Sequence, residues 1–340
     1  MIAYTKRNIA QKRLMKLLVW ICILVLLSST ALLVGKYPVN FISLISGNGA
    51  SPEELNTFKL ILINSRLPRI LSALLIGGCL SAAGAVYQGI FRNPMVSPDM
   101  LGASSGSAFG AALGILFGFS IKGVEALSFL AGISAVAVTW IISSTVSKAR
   151  SSLVLILSGI LVSTVFTSLL SLVKFTADPY SKLPDITFWL LGNLSAVSLS
   201  DTVFVSGCAL LGFIPLFLIR WKINVLSLSE DEARALGMNT RAYRLIIIAC
   251  ATLMTSAAVS VCGLIGWVGL VVPHIVRMIF GPDYKTLVTA SIVIGGIYLL
   301  TVDTLARYVL SIEIPLGILT AIIGAPFFIY LMTKSERGWS

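Results

Sequence analysis

The residues of this chain that could do polar chemistry are few, and the densest group is Ser229-Glu230-Asp231-Glu232-Ala233-Arg234-Ala235-Leu236-Gly237. Ser229 and Glu232 have the spacing of a capping box. The hydroxyl accepts a bond from the third helical amide, and the carboxylate returns one to the amide of the cap. Gly237 suits the left-handed residue that ends a helix. The pattern predicts a short charged helix that projects from its surroundings, a contact element and not a catalyst. An ordinary solvated connector is the alternative. Cys22, Cys79, Cys208, Cys250 and Cys262 lie singly in apolar runs with no CxxC pair, the placement of small packing residues. His274 is the single histidine, so a multi-histidine metal site is excluded and no metal or cofactor is expected. No GxxxxGK[ST] loop occurs, so the chain is not expected to hydrolyse ATP itself.

The elements that must position these groups are membrane helices. The 340 residues are 57% hydrophobic and 11% charged, and the mean hydropathy is +0.96. A soluble domain carries about 25% charged residues. The net charge of +11 lies mostly in short loops between apolar runs, which points to orientation in a bilayer and away from nucleic acid. A bilayer core needs about 20 apolar residues per helix. Ten runs qualify: Leu14–Val34, Ile70–Ile90, Met100–Phe119, Val124–Val146, Ser152–Val173, Thr202–Ile219, Leu245–Gly266, Trp267–Phe280, Thr286–Val302 and Pro315–Met332. The eighth is short and contains Pro273. The first is too long for a signal-peptide core and reads as a retained helix. Leu183–Ala196 is too short to span and reads as a surface or re-entrant helix. The expected fold class is therefore an all-α polytopic membrane protein, one transmembrane domain over residues 1–340.

With the N-terminus inside, both ends are cytoplasmic, and 17 of the 25 Lys and Arg residues fall inside against 8 outside. Lys6, Arg7, Lys148, Arg150, Lys334 and Arg337 are inside; Lys36, Arg66, Arg69 and Arg307 are outside. The longest inside loop, about residues 224–244, carries the capped charged segment. The spans are rich in Gly, Ala and Ser, which allow close helix approach in lipid. None carries a charge at mid-depth, which disfavours an ion-coupled secondary transporter. Little supports a non-transporting scaffold. Arg66-x-x-Arg69 leading to Pro94, and Arg241-x-x-Arg244 leading to Pro273, have the pattern of a short inverted repeat, with a chance match as the alternative.

Glu232-Ala233-x-x-x-Gly237 resembles the coupling loop of ABC importer permeases. Arg66-Leu67-Pro68-Arg69, Gln88-Gly89-Ile90-Phe91-Arg92-Asn93-Pro94, Pro98-Asp99-Met100-Leu101-Gly102, Gly266 to His274 and Glu313-Ile314-Pro315-Leu316-Gly317 resemble, in order, segments of the FecCD-type (BtuC-like) permeases for iron-siderophores, haem and vitamin B12. The resemblance implies a homodimer of ten-helix subunits with the path between the copies. It implies two ATP-binding cassette subunits docked on Ser229–Gly237, and a substrate-binding protein outside. It implies that Arg66, Arg69 and Arg307 meet glutamates of that protein. Exposed arginines suit bidentate carboxylate pairing, and interfacial anchoring is the alternative. It assigns the fifth span and the following short helix to pore and gate, with Ser158, Ser163, Thr164, Thr167 and Ser168 as lining residues. Helix–helix hydrogen bonding is the alternative for each. Asp178-Pro179-Tyr180 and Trp189 fall at the outer rim. The cargo it implies first is an iron-siderophore, with haem, cobalamin and molybdate as alternatives. The expected location is the inner membrane.

Overall fold

The computed structural model describes residues 2–33, 52–146, 152–309 and 312–335. The expectations on Val34, Lys36, Lys148, Arg150 and Arg337 lie outside the described residues. Thirteen α-helices are described: α1 Ile2–Leu33, α2 Pro52–Ile61, α3 Leu67–Ile90, α4 Ala103–Leu116, α5 Ile121–Val146, α6 Ser152–Thr176, α7 Lys182–Leu190, α8 Leu199–Leu226, α9 Glu230–Ala235, α10 Thr240–Cys262, α11 Val268–Phe280, α12 Tyr284–Tyr308 and α13 Leu316–Ser335. Seven helical stretches are long and apolar enough to cross a membrane. The three shorter apolar helices are α4, α11 and α13. Together they match the ten expected spans one for one, in order.

The boundaries that differ have physical causes. The second span was expected to begin at Ile70, after its arginines. Instead a single π-helical turn, Leu62–Arg66, joins α2 to α3, so the helical run begins before Arg66. Helix can continue through Arg69 because carboxylates elsewhere in the chain neutralise it, as described below. Pro68 sits in the first turn of α3, where a missing amide is harmless. The seventh span ends at Cys262 and not Gly266, because Gly263 takes a φ of +74°. The short helix ends at Leu190, two residues before Gly192, which also takes a φ of +74°. At this break three irregular segments satisfy one another. Asn193 N donates to Cys262 O at 2.9 Å, Leu316 N to Gly192 O at 2.9 Å and Gly317 N to Leu191 O at 3.1 Å. Non-helical backbone survives at membrane depth only where protein supplies such partners.

α3 is the axis of the bundle, buried along nearly its whole length. Small residues bring its neighbours into backbone contact. A Cβ at Gly77 would lie 2.2 Å from Gly295 O of α12, and one at Gly84 would lie 1.8 Å from Gly269 O of α11. α12 also passes the full depth. Asp283 caps one end and Asp303 lies near the other. Twenty residues at 1.5 Å rise place these carboxylates about 30 Å apart.

Candidate functional site

Two polar assemblies occupy opposite ends of α3 and α12. The first is built around α9. Ser229 Oγ accepts from Glu232 N at 3.2 Å, and Glu232 Oε2 accepts from Ser229 N at 2.8 Å, so the capping box forms as its spacing predicts. At the other end Gly237 takes a φ of +74°. Gly237 N donates to Arg234 O at 2.8 Å and Met238 N to Ala233 O at 3.1 Å, the paired C-terminal bonds of a left-handed cap. A Cβ at Gly237 would meet open space, so this glycine is required for its backbone angle and not for room. Glu230, Asp231 and Glu232 fill the first turn, where negative charge opposes the helix dipole.

Only Ala233 of this helix is buried, and it seats α9 on the bundle. Leu228 and Leu236 stand exposed on either side, Leu236 at 65%. Two links fasten the segment. Arg92, which follows α3 in a left-handed conformation (φ 52°) rare for a side chain other than Gly or Asn, donates Nη1 to Leu228 O at 3.2 Å. Glu230 pairs with Arg234 at 2.7 Å and lies 3.9 Å from Arg244 of α10. The Glu232 carboxyl is held below the usual range by the Ser229 hydroxyl and amide, with Arg92 adding to it. Nearby, Asp283 binds Arg13 at 2.8 Å and Asn224 at 3.0 Å. Burial would raise its carboxyl, but these partners and the Lys285 amide hold it low.

The second assembly gathers the arginines. They are not exposed as expected: Arg66 is 5%, Arg69 9% and Arg307 8% exposed. Arg66 Nη1 donates to Leu32 O at 2.7 Å and Leu33 O at 3.3 Å, placing a cation on the carbonyls at the end of α1. Arg69 Nε donates to Asp303 Oδ1 at 3.0 Å, and its two Nη atoms reach Glu313 at 3.3 and 3.0 Å. Asp303 is wholly buried and also lies 3.4 Å from Arg307 Nε. Arg307 Nη2 is buried with no hydrogen-bond partner among the described residues. Desolvated charges persist only when paired, and the carboxylates that pair here belong to the chain itself. Asp303 was missed by sequence reasoning. Its signal was a lone carboxylate in an apolar run, four residues before Arg307 on the same helical face.

The hydroxyls assigned to a pore do not share a face. Ser158 is buried on the inner side of α6, beside Gly159, where the 98–101 turn presses in. Ser163 is half-buried with its Oγ turned inward near Gly102. Thr164, Thr167 and Ser168 remain on the exposed face, and Thr164 and Ser168 bond to carbonyls one turn back at 2.9 Å. Tyr180 is almost fully exposed. Asp178, its carboxyl lowered by the Ser181 hydroxyl and the amides of Tyr180 and Ser181, holds that turn in shape. Trp189 lines a cavity of about 350 Å³ with Glu125, Lys182, Asp185 and Asp201. Four of the five cysteines are buried, as packing residues would be, and no cluster of three or more metal-ligating side chains occurs among the described residues.

The sequence pattern of the FecCD transport family matches residues 17–334. This chain belongs to the FecCD transport family. It is 41% identical over 278 residues to the molybdate import system permease protein MolB of Haemophilus influenzae, covering 82% of each chain. It is 39% identical over 286 residues to the "Probable iron chelatin transport system permease protein" of Helicobacter pylori strain 26695, covering 84% of this chain and 86% of that one. A solved structure described as an inward-facing conformation of a metal-chelate type ABC transporter superposes with a TM-score of 0.85. The identity there is 37%, over 94% of this chain and 98% of the other. The protein is accordingly a multi-pass membrane permease of the ABC importer class, a membrane subunit that works with ATPase and permease partners.

Proposed function

We propose that this chain is the permease of an importer that carries a ferric siderophore across the inner membrane, its termini cytoplasmic and residues 1–340 forming one permease domain. Two copies would enclose the path. Two ATPase subunits would dock on Ser229–Gly237, and an extracytoplasmic binding protein would dock on the opposite end. The observation that carries this reading is the arrangement of α9. An exposed, doubly capped helix sits at one end of a membrane bundle, fastened by Arg92 and Arg244 to α3 and α10. The far end of α3 holds Arg69 and its carboxylates. A push on α9 would therefore reach a rigid buried rod whose other end lies in the arginine cluster. Arg307 Nη2, buried and with no hydrogen-bond partner among the described residues, would leave the cluster capacity for one more carboxylate from a docking protein. Thr164, Thr167 and Ser168, on the exposed face of α6, would line the path between copies.

A second cargo, an oxyanion such as molybdate, is supported by the 41% identity to the molybdate permease. The test is ATP-dependent uptake in proteoliposomes holding this chain, its ATPase and its binding protein, offered labelled ferric siderophores, haem, cobalamin and molybdate. Uptake of a ferric siderophore that needs all three components is the expected result. Uptake of molybdate alone would replace the cargo, and uptake driven by an ion gradient without ATP would overturn the importer.

A further inference from the structure

Between α5, α8 and α10 lies an apolar groove of about 590 Å³ whose walls include Ile133, Ala137, Trp140, Leu211, Leu245 and Ile248. About one helical turn before Ile133 on α5, Phe129 meets Phe204 of α8 edge to face at 5.2 Å. The lining from Ile133 to Ile141 covers nine residues, eight rises or about 12 Å of helix. Leu211 and Leu245 are exposed on its rim, so the groove faces what surrounds the bundle.

The stripes that line it do not stay apolar. On α8, Leu211 continues at helical spacing to the exposed Leu218 and then to Lys222. On α10, Thr252, Ala249 and Leu245 continue one turn outward to Arg241. α8 ends and α10 begins on the same side, joined by residues 227–239, so both stripes reach a cation at one mouth of the groove. Lys222 Nζ hydrogen-bonds the Tyr243 hydroxyl and lies 4.1 Å from that ring and 5.5 Å from the Trp221 ring. An ammonium has three donors, so others remain for an anion. Arg241 is exposed, and neither cation has a carboxylate partner among the described residues. Apolar length ending in paired cations with flanking aromatic rings is complementary to one chemistry in a bilayer, an acyl chain that carries an anionic headgroup.

We propose that this groove binds an anionic phospholipid, one acyl chain lying between α5, α8 and α10 and the phosphate held by Lys222 and Arg241. A zwitterionic lipid would fill the same groove, but its choline would offset the attraction to the cations. The site thus selects headgroup charge at the end where α9 projects.

The experiment is native mass spectrometry of the delipidated full-length chain, titrated with palmitoyl-oleoyl phosphatidylglycerol or with the matching phosphatidylcholine. Wild type should retain one phosphatidylglycerol per chain in preference to phosphatidylcholine by about thirtyfold, the scale expected for two cations near an anionic headgroup. Lys222→Gln with Arg241→Gln should abolish the preference and leave phosphatidylcholine retention unchanged. Ala137→Trp, which fills the groove, should lower retention of both lipids, and millimolar inorganic phosphate should not displace the bound lipid. Equal retention of the two lipids by wild type would overturn the proposal. So would a preference that survives the double glutamine variant, which replaces only peripheral cations and keeps the test valid should the tryptophan variant fail to fold. Displacement by free phosphate would likewise contradict a lipid site.

Discussion

The two charged assemblies solve opposite problems. At one end, Arg69, Asp303 and Arg307 are drawn out of water and survive by sharing charge, with the half-exposed Glu313 at their edge. At the other, Glu230 to Ala235 stays in water and is held by its own backbone caps. The buried cluster is tertiary: Arg69 and Asp303 are 234 positions apart in sequence. The exposed helix is local, its cap residues only three apart. Damage to the first should therefore be felt by the whole bundle, and damage to the second only by what docks there.

The largest expected effect is at Asp303. Asp303→Asn removes the one carboxylate shared by two buried arginines, and breaking such a pair costs about 3–5 kcal/mol. Thermal unfolding in detergent should show a large loss of Tm. An unchanged Tm would mean that the cluster is hydrated and that the contrast between the two ends is false. Gly237→Ala is smaller. It forces a side chain into a left-handed angle with no clash behind it, a penalty of roughly 1 kcal/mol. Hydrogen exchange should quicken at residues 229–238 while global unfolding is nearly unmoved. A collapse of global stability would show that α9 belongs to the core. The smallest effect is a dependence on pH. The Glu232 carboxyl is lowered in the folded state, so its capping contribution is present above the ordinary glutamate range of about 4.3 and fades as pH falls through the lower folded value. Amide protection at Ser229 should hold from neutral pH to that range and decline below it. Glu232→Gln, which keeps a capping acceptor, should remove the dependence.

The same contrast explains what could be read from the sequence. The ten spans were legible because each is a continuous apolar run, seven of them long, and the caps of α9 because their chemistry depends on neighbours three to eight residues away. The start of the second span was misplaced because Arg66 and Arg69 look like a membrane boundary until Leu32, Asp303 and Glu313 are brought to them by folding. Ser158 and Thr164 were indistinguishable as hydroxyls on one helix. Which face looks inward is decided by the 98–101 turn pressing against Gly159, a contact with no local signature. The family resemblance singled out the arginines for a contact outside, while their burial and internal partners follow from tertiary contacts alone.

The most direct measurement of the central claim is uptake per ATP hydrolysed in the reconstituted system after Glu232→Arg. This reverses an exposed charge on α9 and breaks its cap, far from the Asp303 cluster. The account predicts a folded permease with an unaltered Tm, and ATP hydrolysis that no longer drives uptake. Wild-type uptake per ATP in that variant would contradict the assignment of α9 as the element through which the ATPase acts.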